Sequence, residues 1–171
     1  NHSFVQIETL SKLGFPLVWT LHDMWPYTGG CNYSSTCNLY TSSCGNCPIL
    51  RSNQKSDLSS LTWTRKRKSW KNIKMTVISP SDWLAQRARS STLFGNSNVE
   101  VIPHGLDLNA YSPIEKRLAK QRLGFPLDRQ VVLFGAVNAI NDKRKGFHLL
   151  LTAINKLVNS PWGEKLILDV F

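Results

Sequence analysis

The chain has 171 residues, of which 42% are hydrophobic, and its 21 basic and 11 acidic residues give a formal net charge of +10. This apolar content is enough for a folded core, so the composition is not that of a disordered chain. No apolar stretch has the roughly 18–20 residues of a membrane-spanning helix. The excess positive charge suits an anionic partner, which can be a nucleic acid, an acidic lipid or a phosphorylated small molecule.

The first part of the chain predicts strands and helices in alternation. Phe4, Ile7, Leu10 and Leu13 have the spacing of one helix face. The elements that follow are strands at 16–21, 75–78 and 99–102, a helix at 58–70, and a helix at 81–91 that Ser81 caps. Between the first strand and the first of these helices lies a cysteine-rich loop, residues 24–56.

The second part of the chain continues the alternation. It predicts helices at 113–123 and 146–158 and strands at 131–134 and 165–170, with Gly124 ending the first of these helices. Strands that alternate with helices are typical of a parallel sheet built from βαβ units. We expect residues 108–130, which hold two prolines, to link two sheet domains.

Both ends of the chain predict an internal piece of a longer protein. Residues 165–171 form an apolar strand with no turn after it, and such strands usually lie inside a parallel sheet. The first residues fit the end of an amphipathic helix and lack the pattern of a secretory signal. The alternative is a small complete domain.

Polar residues follow the predicted strands, where parallel α/β sheets bind their ligands. The clearest are His22 and Asp23, directly after the first strand. An imidazole there could position a phosphate or a sugar hydroxyl, or transfer a proton. The alternative is a histidine that only caps a turn.

A basic turn, Asp142–Gly146, precedes the predicted helix at 146–158. Gly146 allows close backbone approach, and the start of a helix favours an anion. Arg144 and Lys145 add positive charge. The pattern predicts a phosphate or diphosphate site, with a solvated basic loop as the alternative.

Four cysteines, Cys31, Cys37, Cys44 and Cys47, have the spacing C-x5-C-x6-C-x2-C. Two residues between Cys44 and Cys47 let both thiolates face one ion. Since no secretory signal is recognisable, we expect either a closed structural Zn²⁺ site or reduced thiols rather than disulfides.

A basic segment follows in the helix at 58–70, where Arg65, Lys66, Arg67, Lys68 and Lys71 stand near Trp63 and Trp70. It could contact acidic lipid headgroups or RNA phosphates, or be an ordinary solvated helix face.

Taken together, four segments resemble the retaining glycosyltransferases of family 4. They read VWTLHDMWPYTGGCNY with CGNCP, VISPSDWLAQRARSS, VEVIPHGLDLNAYSP, and RLGFP with VVLFGAVNAINDKRKGFHLLLTAI. The resemblance is strongest to the bacterial branch that builds exopolysaccharide, colanic-acid-like and O-antigen chains, and it covers almost the whole chain.

The resemblance implies an α/β fold of GT-B type, with pieces of two Rossmann-like parallel-sheet domains, truncated at both ends. Residues 1–112 would belong to the acceptor-side domain, and residues 113–171 would hold a linker and the start of the nucleotide-sugar domain. The enzyme would be a hexosyltransferase that moves a sugar from a nucleotide-diphosphate sugar to a lipid-linked or oligosaccharide acceptor, with no cofactor required for catalysis.

The resemblance also assigns residues. His22, with Asp23, falls at the family's active-site histidine. Lys145, with Arg144 and Gly146, falls at the lysine that binds the donor diphosphate. His104, Gly105 and Asp107 form the turn at the domain junction, where the family usually has Asn first. The basic segment would face the inner surface of the cell membrane, in a cytoplasmic, peripheral enzyme.

Two departures qualify these expectations. Residues 135–142 contain no arginine, whereas many members place a second diphosphate-binding cation there. The family's acidic E-x7-E region is absent, so the chain as given is not expected to catalyse transfer. The competing hypothesis is a zinc-stabilised basic module that binds nucleic acid or a protein partner; the strand–helix alternation makes nucleic acid the less favoured of these partners.

Overall fold

A computed structural model describes residues 5–171 and divides the chain after Leu106 into two compact units. The sequence-based domain boundary lies slightly later, after residue 112. Both units combine helices with parallel strands, as the alternation predicts.

Unit 1 is built on a three-stranded parallel sheet. Its strands are β1 (Leu17–Thr20), β2 (Met75–Ser79) and β3 (Asn98–Val101), in the order β1-β2-β3. Its helices are α1 (Leu58–Trp70) and α2 (Asp82–Ser90). The central strand pairs Val77 with Trp19 on one side and with Val99 on the other.

The core of unit 1 forms around β2, in which Met75, Val77 and Ser79 are buried. Aromatic rings fill the space beside it. Phe94 lies 6.2 Å from Trp70, 6.4 Å from Trp19 and 6.1 Å from Tyr27 between ring centroids. Such ring pairs stabilise the core beyond the area that they bury.

Helix α1 presents a different face to the core from the one that its leucines predict. The buried positions are Ser59, Trp63, Lys66 and Trp70, which recur at helical spacing. From the sequence, Leu58, Leu61 and Trp70 are the expected apolar contacts of this helix; Trp70 is buried as expected, whereas Leu58 and Leu61 are 65% and 56% exposed. That part of the sequence prediction is therefore wrong, because the two tryptophans bury more apolar surface than the leucines do.

The starts of the two helices of unit 1 are fixed by side-chain caps. Asp57 accepts hydrogen bonds from the backbone N–H groups of Ser59 and Ser60 at the start of α1. Ser81 accepts from Leu84 N–H at the start of α2, which confirms the predicted cap.

The first described segment contains a 3-10 helix, Ile7–Lys12. The predicted helix face includes Phe4, which lies outside the described residues. The Trp70 indole donates to the Ile7 carbonyl at 2.8 Å, so this segment is attached to α1.

Unit 2 contains α3 (Lys116–Leu123), β4 (Gln130–Phe134), α4 (Phe147–Val158) and β5 (Leu166–Val170). Its two strands are parallel. Helix α3 begins at Lys116 rather than at residue 113, because Glu115 caps it by accepting from the N–H groups of Arg117 and Leu118. Gly124, with φ of 74°, ends the helix as predicted. The expected linker, residues 108–130, thus contains a helix.

Candidate functional site

Two histidines meet at the carboxyl edge of the sheet in unit 1. His22 follows β1 and His104 follows β3, and their rings are stacked with centroids 5.7 Å apart and planes 12° from parallel. Both side chains are exposed. Two adjacent imidazoles at this edge can offer hydrogen bonds or positive charge to an anionic or hydroxylated ligand.

The sheet pairing continues past the strand ends and brings these residues together. Leu21 N–H donates to Ile78 O at 2.8 Å, and Ile102 N–H donates to Ser79 O at 2.9 Å. His22 and His104 each lie within two residues of these last bonds, after the two strands that flank β2. The sequence singles out both histidines, but it places His104 in a domain-junction turn and does not predict the pair. Their shared position after strands of one parallel sheet is the signal that could have found it.

Asp23 takes part in the local turn. Its Oδ1 accepts the N–H of Trp25 at 2.8 Å, at the start of the 3-10 helix Trp25–Tyr27. This hydrogen bond orients the chain directly after His22. The carboxylate therefore has a structural partner, and a catalytic role for Asp23 stays a prediction.

At the predicted junction turn, Asp107 forms hydrogen bonds with residues close to it in sequence. In unit 2, Asp107 Oδ1 accepts from the N–H groups of Asn109 at 2.9 Å and Ala110 at 3.3 Å. Gly105, in unit 1, has open space where a Cβ would be. Asp107 thus acts as a turn cap, whereas His104 belongs to the histidine pair.

The basic turn of unit 2 has the local structure that an anion site requires. Lys143–Lys145 form a 3-10 turn, Gly146 has a left-handed φ of 78°, and α4 follows directly. The first turn of a helix leaves backbone N–H groups without intrahelical partners, and these favour an anion.

The two candidate cations of this turn differ in their surroundings. Arg144 forms an ion pair with Asp142 at 2.6 Å, and this guanidinium lowers the pKa of Asp142 to about 2. Lys145 is exposed and forms no ion pair with the acidic side chains of residues 5–171. The structure thus leaves Lys145 more available than Arg144 for an incoming anion.

The four cysteines have free thiols, are half-buried, and line one cavity in unit 1. Burial raises the pKa of Cys44 to about 11 and also raises the pKa of Cys31. As the structure stands, no group of three or more His, Cys, Asp or Glu side chains within residues 5–171 forms a ready metal site.

The basic segment of α1 is not one continuous surface patch. Lys66 is completely buried, so its assignment to a membrane-facing patch is wrong: its position on the helix turns it toward the core. Its ammonium donates to the carbonyls of Trp25 and Thr28 and lies 3.5 Å from the centroid of the Trp25 ring.

The other four basic residues of the segment are exposed: Arg65, Arg67, Lys68 and Lys71. Arg65 forms a two-pronged ion pair with Glu8, at 2.9 and 3.1 Å. Trp63 and Trp70 are buried, so neither ring is available to a lipid interface or a nucleic-acid base. Among the helices of residues 5–171, none is long and apolar enough to cross a membrane.

Comparison with known proteins gives one informative similarity. Over 97 residues the chain is 32% identical to the Escherichia coli (strain K12) protein described as "Putative colanic acid biosynthesis glycosyl transferase WcaC". The match covers 54% of this chain and 24% of that relative, so the chain spans about a quarter of the relative's length. No family model and no solved structure matches the chain.

Proposed function

We propose that this protein is a glycosyltransferase of cell-surface polysaccharide synthesis. The similarity to the colanic acid relative carries the proposal. Parallel α/β units with polar residues after their strands are consistent with it, because such sheets bind nucleotide ligands at that edge. At the finer level, we propose the retaining family 4 type with a GT-B fold, acting as a hexosyltransferase.

In this proposal, unit 2 binds the diphosphate of a nucleotide-sugar donor at the turn Asp142–Gly146. Lys145 is the principal cation, since Arg144 is already paired with Asp142. The N–H groups at the start of α4 and the Lys145 ammonium stabilise the negative charge that develops on the leaving diphosphate. Fixed donors aimed at developing charge are among the largest contributions to enzyme rates.

The histidine pair of unit 1 acts on the sugar side of the reaction. His22 hydrogen-bonds the transferred sugar or its phosphate, and the stacked His104 ring holds His22 in place. Asp23 supports this position through its bond to Trp25 N–H. The acceptor, a glycan that is oligosaccharide or lipid-linked, attacks from the face that the leaving group occupies, and no metal ion or other cofactor takes part in the transfer.

For a lipid-linked acceptor, the enzyme works as a peripheral protein on the cytoplasmic face of the cell membrane. The exposed cations at the end of α1, Arg67 and Lys68, and Lys71 directly after it, then supply attraction to acidic headgroups, at about 1 kcal/mol each. The competing nucleic-acid function receives less support, because base stacking needs exposed aromatic rings and both tryptophans of α1 are buried.

The test is a transfer assay on the complete gene product, because the match covers only about a quarter of the relative's length. A panel of UDP-, GDP- and ADP-sugars is offered to the wild type, to Lys145→Ala and to Lys156→Ala. Lys156 is an exposed lysine in the last turn of α4, at the end of the helix opposite to Lys145, and serves as the matched control.

We expect one nucleotide sugar to be turned over and Lys145→Ala to lower kcat/KM by about 10- to 100-fold, the loss of one charge-assisted hydrogen bond. Lys156→Ala should keep wild-type kcat/KM. His22→Ala should lower kcat. Folded wild-type protein that binds no nucleotide sugar, or equal losses in both lysine variants, contradicts the proposal.

A further inference from the structure

The cysteine-rich loop, residues 24–56, is unusually long for a connection in a compact unit. Its regular structure consists of two 3-10 turns, Trp25–Tyr27 and Leu39–Thr41. Loops beyond about 12–15 residues without secondary structure of their own are uncommon unless something holds them. Met24, Tyr27 and Tyr40 attach the loop to the core of unit 1, whereas Ile49 and Leu50, next to Cys47, are 58% and 46% exposed.

The four cysteines of this loop line one small cavity. Cys31, Cys37, Cys44 and Cys47 all line a cavity of about 30 Å³, together with Tyr40 and other residues of the loop. This volume is of the order that one water molecule occupies. It is about tenfold below the smallest pockets that bind organic ligands, so size favours a single ion as the occupant.

The backbone around Cys44 has features that suit a thiolate ligand. Cys44 Sγ accepts the N–H of Gly29 at 3.1 Å, a bond of the kind that orients metal ligands. The turn from Cys44 to Cys47 uses positive φ at Gly45 (145°) and Asn46 (46°). A Cβ at Gly45 would lie 2.3 Å from the Lys55 carbonyl oxygen, so the packing around this turn requires glycine.

A buried lysine interacts electrostatically with two of the four cysteines, Cys44 and Cys31. Lys66 is fully buried and bonds to the loop through the Trp25 and Thr28 carbonyls. It forms no ion pair with the acidic side chains of residues 5–171, and its electrostatic neighbours include Cys44 and Cys31. Four thiolates on one divalent ion carry net negative charge, which this ammonium would offset.

We propose that Cys31, Cys37, Cys44 and Cys47 bind one Zn²⁺ ion in a closed tetrahedral site. The four thiols release their protons, and the thiolates coordinate the ion with no position left for a substrate. Because the side chains do not yet form a finished metal site, they turn toward the centre of the cavity on binding. The ion anchors the loop that begins directly after His22 and Asp23.

The proposal is independent of the glycosyltransferase function and is tested without an activity assay. The protein is produced under reducing conditions with zinc in the medium, and its metal content is measured by mass spectrometry of intact and digested samples. Co²⁺ is then exchanged for Zn²⁺, because its absorption bands report tetrahedral thiolate coordination. The variants are Cys44→Ser and, as a control on the neighbouring exposed residue, Ser43→Ala.

We expect one zinc ion per chain, the cobalt spectrum of a tetrathiolate site, and thiols that react with a thiol reagent only after a chelator is added. Cys44→Ser should weaken metal affinity by more than the about 10- to 100-fold that loss of an outer-shell partner costs. Ser43→Ala should retain one ion with unchanged affinity.

If Cys44→Ser fails to fold, the wild-type cobalt spectrum and the chelator-dependent thiol reactivity still decide the question. A folded wild type without zinc whose four thiols react freely overturns the proposal. A wild-type protein mass that is lower by the hydrogens that disulfide formation removes also overturns the proposal.

Discussion

The two units of this protein bury their apolar side chains to very different extents. In unit 1, twelve buried hydrophobic residues form one cluster around β2. In unit 2, the buried hydrophobic residue is Ile154, and Leu133, Val137, Ile140 and Leu149 are more than half exposed. Both units have parallel strands and amphipathic helices, so secondary structure alone does not determine how much core is formed.

The two units differ in whether their sheet has a central strand. Strand β2 has neighbours on both sides and packs against α2, whereas β4 and β5 pair with each other. Two paired strands are marginally stable by themselves in water. We therefore expect unit 1 to hold most of the stability of the described chain.

Truncation of a core residue in unit 1 should lower the free energy of unfolding far more than truncation of an exposed residue in unit 2. Phe94 is 1% exposed and Leu149 is 66% exposed. Phe94→Ala should lower the free energy of unfolding by about 3–5 kcal/mol, whereas Leu149→Ala should change it by no more than about 0.5 kcal/mol. Urea denaturation followed by tryptophan fluorescence measures both, and comparable losses would contradict the contrast between the units.

Amide hydrogen exchange measures the difference in local stability between the two units without substitutions. The amides of β2 and α1 should be protected by more than about tenfold over those of β4 and α4, since local opening is easiest where few apolar contacts hold an element. Equal protection in both units would show that unit 2 is more stable than its exposed side chains indicate.

Lys66 should give unit 1 a pH dependence at mildly alkaline pH. Burial lowers its pKa from 10.5 to about 7. Between these values the unfolded state binds more protons than the folded state, so stability rises with pH. We expect a slope of up to about 1 kcal/mol per pH unit from pH 7 to about 7.5, before the thiols of the unfolded chain, with an ordinary pKa of about 8.5, begin to ionise.

The measurement is urea denaturation of chelator-treated protein at several pH values. Lys66→Met should remove the slope, because it keeps the aliphatic length of the side chain without its charge. The exposed neighbour Lys68→Met is the control and should leave the slope unchanged. A slope that persists in Lys66→Met would assign the titration to another group.

The helix caps of the two units should differ by a smaller amount in their contribution to stability. Asp57 accepts hydrogen bonds from Ser59 and Cys47 at the start of α1, and the Ser59 side-chain bond is the main reason why its pKa falls from 3.8 to about 2. The stabilising contribution of this carboxylate is therefore complete above pH 3.8 and is lost as the pH falls toward 2.

Asp57→Asn should lower the thermal midpoint at neutral pH and reduce the acid sensitivity of unit 1. Glu115→Gln, at the exposed cap of α3, should have the smaller effect, because fewer donors surround it. Thermal denaturation at neutral pH and acid titration, each followed by circular dichroism, measure these two quantities in both variants. A larger drop of the thermal midpoint in Glu115→Gln than in Asp57→Asn would contradict this ranking.

Hydrophobic periodicity and turn residues predicted the strands and helices of both units, with boundaries within a few residues. Gly124 and Ser81 mark their helix ends because capping depends on local backbone chemistry. The buried face of α1 was not predictable in this way. A charged Lys66 on the core side contradicts the pattern, and only the carbonyls of Trp25 and Thr28 explain it.

The candidate site was predictable residue by residue but not as an arrangement. The positions of His22 and His104 after strands indicate a binding edge, yet their stacking depends on the strand order β1-β2-β3. Likewise, the cysteine spacing leaves open whether the four thiols share one site, and the fold brings Cys31 and Cys37 to the same cavity as Cys44 and Cys47. Contacts between residues distant in sequence require the fold.

Amide hydrogen exchange of the complete gene product, with and without saturating UDP, GDP or ADP, tests directly whether unit 2 binds a nucleoside diphosphate. The glycosyltransferase account predicts that one of these nucleotides protects the amides at the start of α4, from Gly146 onward, and that Lys145→Ala removes this protection while Lys156→Ala keeps it. Protection nowhere in unit 2, or protection confined to α1 when a single-stranded RNA is offered instead, would contradict the account.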